Sequence, residues 1–239
     1  MIHSEIYRTS WHDTDCKRQV RPSAVLTYFE ETSNLHMISI GQPLDDIRDE
    51  AGYGFILSRL AMKFYKPIGA YKNIRVETWT SDGKAFTTLR SFRVFEGDEL
   101  VADAFSLWAL VDVNERKPVK ISSYDFNFEH EPQLENGVPI RFVIPKEIEL
   151  EKVGERQIFY SECDYNMHMN NTRYPDMICD FLPNMENRQL ASLSLSFVRE
   201  AAMGRTLSVY RAKKDENTYF FRTADEEGNV CLEAEVRVE

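Results

Sequence analysis

The sequence predicts an α+β protein in which one helix packs on an antiparallel sheet, with this arrangement made twice along the chain. Three observations support the prediction: a helix-like segment followed by four strand-like segments, a second copy of that order, and weak residue matches between the copies. The chain has 239 residues, 43% of them hydrophobic. It is therefore long enough to bury two cores of domain size.

The first copy begins with a predicted helix over residues 22–40, where Pro22 suits a first turn and apolar residues recur near helical spacing. Four segments rich in β-branched and aromatic residues follow, with turn signals at Asp82-Gly83 and Gly97-Asp98. We expect them to form antiparallel strands. They cover residues 55–67, 73–82, 85–98 and 100–113.

The second copy repeats the plan, with a predicted strand at 156–163, a helix at 172–182 and strands at 190–200, 205–214, 217–227 and 229–239. Matched pairs of segments are "DTDCK" with "DYNMH", "KFYKP" with "SFVRE", and "EGDELVADA" with "EGNVCLEA". Two such units side by side predict one continuous sheet, the tandem or double hotdog architecture. We expect an N-terminal hotdog at 1–130, a linker at 131–148 and a C-terminal hotdog at 149–239.

Charge and composition exclude several classes of protein. A net charge of -10 and a pI near 5.1 argue against a sequence-independent nucleic-acid binder, which needs positive surface. The beginning of the sequence lacks a targeting pattern and no apolar run approaches membrane-spanning length, so we expect a soluble cytoplasmic protein without a membrane partner. The four cysteines form no C-x-x-C pair, which indicates reduced thiols. No metal or organic cofactor is suggested.

The segment "DYNMHMNN" gathers several kinds of polar group directly before the second predicted helix. Asp164, Asn166 and His168 alternate, so in an extended segment they would project to one side and combine a carboxylate, an amide and an imidazole. Asn170 or Asn171 could cap the helix, whose free N–H groups could face a carbonyl oxygen that gains charge in acyl transfer. A plain solvated turn is the alternative, and the pattern alone leaves both open.

Glu200 ends the predicted strand at 190–200. Alternation places Leu193, Leu195 and Phe197 on one face and the serines with Glu200 on the other, if no bulge intervenes. Glu200 is then either solvated or directed at His168. In the second case the pair would hold and activate a water molecule.

Long segments around these residues resemble acyl-acyl-carrier-protein thioesterases. They include "RPSAVLTYFEETSNLH", "FILSRLAMKFYKPIGAYKNIRVETW" and "SFRVFEGDELVADAFSLWALVDVNERKPVKI" in the first half, and "DYNMHMNNTRY" and "LSLSFVRE" in the second. The resemblance implies hydrolysis of fatty acyl-acyl-carrier protein, with release of free fatty acid. It also implies a partner, an acyl carrier protein bearing a phosphopantetheine-linked acyl chain.

The resemblance also assigns residues. The D-x-N-x-H-x-N-N motif of the family matches Asp164, Asn166, His168, Asn170 and Asn171, and its catalytic glutamate matches Glu200. Many plant members have a cysteine at the position of Ala201, so this chain favours activated water over a thiol acyl-enzyme. The first half places Asp13, Asp15, Lys17 and Pro67 at the matching positions. We expect that half to bind the acyl chain without performing hydrolysis.

The acyl tail is expected in an apolar tunnel beside the first helix, although the same residues would equally serve as ordinary core. The candidate wall residues are Val25, Phe29, Leu57, Met62 and Phe64. An acidic carrier would need clustered bases, for example Arg199, Arg205, Arg211, Lys213 and Lys214. An acyl-CoA thioesterase, a non-catalytic acyl-binding hotdog protein and a hydratase are the alternatives. A homodimer and the preferred chain length stay open.

Overall fold

Eleven strands form one sheet in the computed structural model, which describes all 239 residues. The strands are β1 (His3–Arg8), β2 (Tyr53–Phe64), β3 (Asn73–Lys84), β4 (Thr87–Glu96), β5 (Glu99–Asp112), β6 (Lys117–Pro118), β7 (Glu151–Gln157), β8 (Leu190–Phe197), β9 (Thr206–Lys213), β10 (Thr218–Ala224) and β11 (Val230–Val238). The helices of more than one turn are α1 (Pro22–Ser39), α2 (Leu44–Ala51) and α3 (Tyr174–Asp180).

The strand order repeats the same topology on either side of a central seam. The order is β1-β3-β4-β5-β2 in the first half and β7-β9-β10-β11-β8 in the second, and β2 pairs antiparallel with β8 between them. The short β6 pairs with β5. Below, the first half means β1 to β6 with α1 and α2, and the second half means β7 to β11 with α3. The predicted α+β tandem hotdog with one continuous sheet is confirmed.

Backbone hydrogen bonds fix how the two copies align. Asp15 N donates to Gln19 O at 2.8 Å, and Asp164 N donates to His168 O at 3.0 Å. The equivalents of Asp164, Asn166 and His168 are therefore Asp15, Lys17 and Gln19, and the predicted alignment with Asp13, Asp15 and Lys17 is wrong by two residues. Its cause is the low identity, which allowed two aspartates to compete for one position.

The main core lies between α1, α3 and the concave side of the sheet. Phe29 of α1 is fully buried and stacks on Phe92 of β4 with ring centroids 4.5 Å apart. Val25, Phe29 and Met62 belong to one cluster of 32 buried residues, Phe64 packs against its edge, and Leu57 is buried nearby. No helix combines the length and the hydropathy needed to cross a membrane.

Two elements differ from the prediction. The strand expected at 156–163 lies earlier, as β7, and residues 160–162 form a one-turn 3-10 helix instead. β7 pairs only with β9, so as an edge strand it has no need of the apolar alternation that marks an interior strand. Helix α2 was not predicted, because Ile47 is its only buried residue.

The predicted linker at 131–148 lies on the outer face of the sheet. Trp79 Nε1 donates to Pro132 O at 2.8 Å, and Asn136 Nδ2 donates to Asp103 Oδ1 at 2.8 Å. Ser194 Oγ of β8 donates to Pro139 O. Ser194 and Ser196 of β8 are therefore buried under this segment.

Candidate active site

Residues 164–168 form a tight turn. Asp164 Oδ1 accepts the backbone N–H of Asn166 at 2.8 Å, Met167 N donates to Asp164 O at 3.0 Å, and Met167 adopts a left-handed φ of 64°. An aspartate that bonds the backbone two residues on is a standard turn former. The segment is therefore a turn, so the condition for three side chains on one side, an extended segment, is not met, and Asp164 holds the turn closed.

The turn is joined to the segment that follows β8. Met169 N donates to Ala201 O at 2.8 Å, and Met203 N donates to Met167 O at 3.0 Å. This pairing places His168 beside Glu200, with His168 Nδ1 3.4 Å from Glu200 Oε2. The imidazole is 23% exposed and the carboxylate 52% exposed. A histidine and a carboxylate at this distance, both reached by solvent, can together hold and deprotonate a water molecule.

A β-bulge directs Glu200 to this place. Val198 N and Arg199 N both donate to Cys231 O, at 2.9 Å and 3.2 Å, so two residues of one strand oppose a single residue of β11. The extra residue shifts the alternation, and Glu200 leaves the serine face that regular alternation gave it. Tyr65 and Lys66 make the same pair of bonds to Val101 O in the first half.

The amides of the motif have different surroundings. Asn166 is exposed, and its Oδ1 accepts from Arg48 Nη1 of α2 at 3.2 Å. Asn170 Oδ1 accepts from Thr172 N at 2.8 Å, so Asn170 is the residue that caps the following 3-10 turn. Asn171 opens that turn. Asn166 is thus the amide exposed next to the imidazole.

Glu30 of α1 belongs to this region and was missed from the sequence. Burial and, to a smaller extent, the charge of Asp164 together raise the pKa of Glu30 from 4.5 to about 7. Ser23, two turns earlier on the same helix face, donates through N and Oγ to Asp176 of α3. In "FEETSNLH" a glutamate reads as solvated helix surface, so no local signal marks Glu30 as facing the second half.

An open cleft of about 430 Å³ lies beside the turn. It is lined by Tyr160, Ser161, Cys163, Asp164, Tyr165 and Met167. No group of three or more histidine, cysteine, aspartate or glutamate residues is arranged to hold a metal ion.

The equivalent turn of the first half carries different chemistry. Gln19 stands where the second half has His168, and Pro67 stands where it has Glu200. Lys17 replaces Asn166, and its ammonium donates to Met185 O at 3.0 Å and to Arg188 O. The first-half turn therefore lacks both the imidazole and the carboxylate of the second-half pair, and Lys17 offers no amide at the position of Asn166.

Comparison with known proteins fits this geometry. The model of the acyl-ACP thioesterase N-terminal domain matches residues 1–126, and that of the C-terminal domain matches residues 146–237. The chain belongs to the acyl-ACP thioesterase family. A chloroplastic palmitoyl-acyl carrier protein thioesterase of Gossypium hirsutum is 26% identical over 156 residues, which is 61% of this chain. The match spans only 38% of that relative's length.

Solved structures share the fold of this family member over its whole length. An acyl-ACP thioesterase from Bacteroides thetaiotaomicron superposes with a TM-score of 0.86 at 21% identity, covering 100% of this chain and 98% of the other. The 12:0-ACP thioesterase from Umbellularia californica gives 0.83 at 15% identity, with coverages of 100% and 97%.

Three of the four thiols of this acyl-ACP thioesterase family member are poor candidates for a nucleophile. Burial, followed by the charge of Asp164, raises the pKa of Cys163, and burial raises the pKa of Cys179 to about 12. Burial also raises the pKa of Cys231. A cysteine attacks as its thiolate, so these shifts disfavour a covalent acyl-enzyme.

The bases expected to receive a carrier protein are largely engaged within the molecule. Arg205 pairs with Glu226 at 3.1 Å, Lys214 pairs with Glu235 at 3.1 Å, and Arg211 donates to Phe181 O. Arg199 and Lys213 are exposed. Two of the five bases are therefore paired with carboxylates, while Arg199, Arg211 and Lys213 have no acidic partner within 4.0 Å.

Proposed function

We propose that this protein hydrolyses the thioester of fatty acyl-acyl-carrier protein, releasing free fatty acid. Membership of the acyl-ACP thioesterase family supports the substrate class. The observation that carries the proposed chemistry is the approach of His168 Nδ1 to within 3.4 Å of Glu200 Oε2, in a turn that also exposes the Asn166 amide. Deacylation of this carrier-bound chain would end its elongation.

In the proposed reaction, His168 and Glu200 take a proton from a water molecule whose oxygen attacks the thioester carbonyl. The amide N–H of Asn166 stabilises the negative charge that develops on the carbonyl oxygen. The C–S bond then breaks, and the proton held by the pair passes to the leaving phosphopantetheine thiol. Asp164 contributes by holding the turn, and Asn170 with Asn171 continues it towards α3.

The acyl chain is proposed to lie beside α1. Three of the five candidate wall residues are packed in the main core, so the chain would enter by displacing or spreading these side chains. The wall comprises Val25, Phe29, Leu57, Met62 and Phe64. In this proposal the hotdog at 1–130 binds the acyl chain and the hotdog at 149–239 carries the water-activating pair. Residues 131–148 link the two.

The carrier protein is proposed as the macromolecular partner, in a cytoplasmic setting. Since two of the five candidate bases already have acidic partners, we expect only a shallow dependence of KM on ionic strength. Titrating sodium chloride from 25 to 400 mM, as rough bounds of the screening range, measures this directly. A steep rise in KM would indicate an exposed positive docking face elsewhere.

The decisive experiment measures free fatty acid released from a panel of acyl carriers that differ in chain length, with the matching acyl-CoA of each length alongside. Single replacement of His168 or Glu200 by alanine should lower kcat by about 10² or more, as expected for an acid–base participant. His130→Ala is a matched control, because His130 faces Asp82 at 3.7 Å outside the site.

Each outcome separates the candidate functions. Wild-type rates in folded H168A and E200A proteins would remove the proposed pair. Equal or faster turnover of acyl-CoA would indicate an acyl-CoA thioesterase of this fold. Binding of acyl chains without release of acid would indicate an acyl-binding protein.

A further inference from the structure

The turn that carries Asn166 is held from the other half of the molecule by Arg48. Arg48 Nη1 donates to Asn166 Oδ1 at 3.2 Å, and the guanidinium carbon lies 4.9 Å from the ring centroid of Tyr165. One arginine thus contacts two neighbouring residues of the turn. Both contacts cross from α2 of the first half to the second half.

The contact determines which way the amide points. A guanidinium can only donate hydrogen bonds, so the atom of Asn166 that faces Arg48 must be its oxygen. The NH₂ group is therefore turned away from Arg48. The backbone N–H of Asn166 is bound to Asp164 Oδ1 at 2.8 Å, which fixes the residue at its other end. An amide held in one orientation offers a donor to an incoming carbonyl oxygen without first reorienting.

Arg48 is itself well anchored. The preceding residue, Ile47, is 1% exposed, and Gly52 ends α2 in the left-handed conformation with φ 70°. Arg48 lies in the last turn, where the partial negative charge of the helix end favours a cation. The guanidinium is therefore presented from a short, fixed helix.

The equivalent turn of the first half shows the opposite arrangement at the position of Asn166. There Lys17 replaces Asn166 and donates to Met185 O and Arg188 O, in the segment that follows α3. Lys17 thus contacts the segment that follows α3 of the second half, and Asn166 contacts α2, which follows α1 of the first half. Since α2 instead supplies a donor, Arg48, the hydrogen bond occupies the amide oxygen and leaves the side-chain N–H groups of Asn166 free.

From this pair of contacts we infer that Arg48 is a positioning residue, supplied by the first half, that orients the Asn166 amide towards the substrate carbonyl. The inference rests on the proposed function, because it assigns the amide a thioester carbonyl to stabilise. It makes the first half a contributor to the chemistry as well as to chain binding. Arg48 itself contacts no reacting atom.

The test compares steady-state kinetics of wild type, Arg48→Met, Arg48→Lys, Asn166→Ala and the R48M/N166A double variant on one acyl-carrier substrate. Loss of a charge-assisted hydrogen bond should lower kcat of R48M about tenfold, while KM stays within about twofold, since the amide acts on the transition state. R48K keeps a donor and should recover about half of the loss on a logarithmic scale.

The double variant distinguishes positioning from a general effect of charge. If Arg48 acts through Asn166, adding R48M to N166A should change kcat less than about twofold, because coupled residues are not additive. Arg8→Met is the matched control, since Arg8 lies over Tyr71 at 6.0 Å away from the site, and it should leave kcat unchanged.

The outcomes are distinguishable. A wild-type kcat in R48M, or a full tenfold loss on top of N166A, overturns the positioning role and leaves the proposed function standing. An equal loss in R48M and R8M overturns it as well. A wild-type protein that releases no fatty acid from any carrier refutes the proposed function and the inference together.

Discussion

Replacing Glu30 by glutamine should stabilise the protein, and the gain should grow with pH. Burial among apolar groups disfavours the carboxylate, and the nearby charge of Asp164 disfavours it further, so its pKa rises from 4.5 to about 7. In the window between these values the folded state holds a proton that the unfolded state has released. The contribution of Glu30 to stability is therefore most favourable below pH 4.5, and it declines as the pH rises from 4.5 to about 7.

The size of the effect follows from the pKa. At about 1.4 kcal/mol per pH unit, a rise from 4.5 to about 7 costs the folded state about 3 kcal/mol at alkaline pH. About 2 kcal/mol of this develops above pH 5.5, which avoids the neighbourhood of the pI near 5.1. Because Glu30 is half-buried and keeps some solvent contact, these values are upper bounds.

Urea unfolding of wild type and E30Q at pH 5.5, 7.0 and 8.5 measures the difference in unfolding free energy. Glutamine has the shape of the protonated acid and no charge, so the difference should widen by about 1 to 2 kcal/mol across the series. Glu31→Gln is the control, because Glu31 is exposed on the same helix. Parallel curves for E30Q and wild type would refute the assignment of a buried, near-neutral carboxyl.

Three further predictions concern the turn, the core and the acyl site. Asp164→Asn keeps an oxygen that can accept the Asn166 N–H, so its kcat should stay within about threefold of wild type. Asp164→Ala removes this acceptor and should lower kcat about tenfold or more. Equal losses of kcat in the two variants would indicate that the carboxylate itself is the base. Burial and the charge of Arg90 lower the pKa of His36 to about 4. The unfolding free energy of wild type should therefore fall by up to about 3 kcal/mol as the pH falls from 6.5 to 4. Urea unfolding of His36→Gln should show that this decrease is absent. Met62→Ala removes a buried side chain, so longer acyl chains should fit better. The value of kcat/KM should rise about fourfold for each added methylene that fills the vacated space. An unchanged chain-length profile would place the acyl chain elsewhere.

The sequence predicted those parts of the fold that depend on local pattern. Apolar alternation located the interior strands, and Pro22 with the spacing of Val25 and Phe29 located α1. These elements pack against one core, so their apolar residues recur with the period of a strand or a helix. β7 was misplaced, since an edge strand such as "EKVGERQ" carries no apolar signal. Helix α2 was missed for the same reason, with Ile47 its single buried residue.

The site was predictable in its residues and not in its geometry. Asp164, Asn166, His168 and Glu200 were all singled out, but the sequence left open whether residues 164–168 form a turn, and it placed Glu200 on the serine face only if no bulge intervened. The turn depends on a left-handed residue at Met167, and the bulge depends on two N–H groups sharing Cys231 O. Neither backbone choice changes the spacing of residue types, so alternation cannot reveal it.

The two equivalent turns, one in each half, carry different residues, which a tandem chain permits. Two identical subunits related by symmetry would carry the same residues at both ends, so a change that closed one site would close the other. Here the equivalent positions have diverged independently: His168 and Gln19, Glu200 and Pro67, Asn166 and Lys17. At one end the second half supplies an imidazole and a carboxylate, while α1 and α2 of the first half add Glu30 and Arg48. At the other end, Lys17 is tied to backbone carbonyls beyond α3. A tandem chain therefore permits different residues at its two turns, and α1 and α2 of the first half face the turn that carries the proposed site.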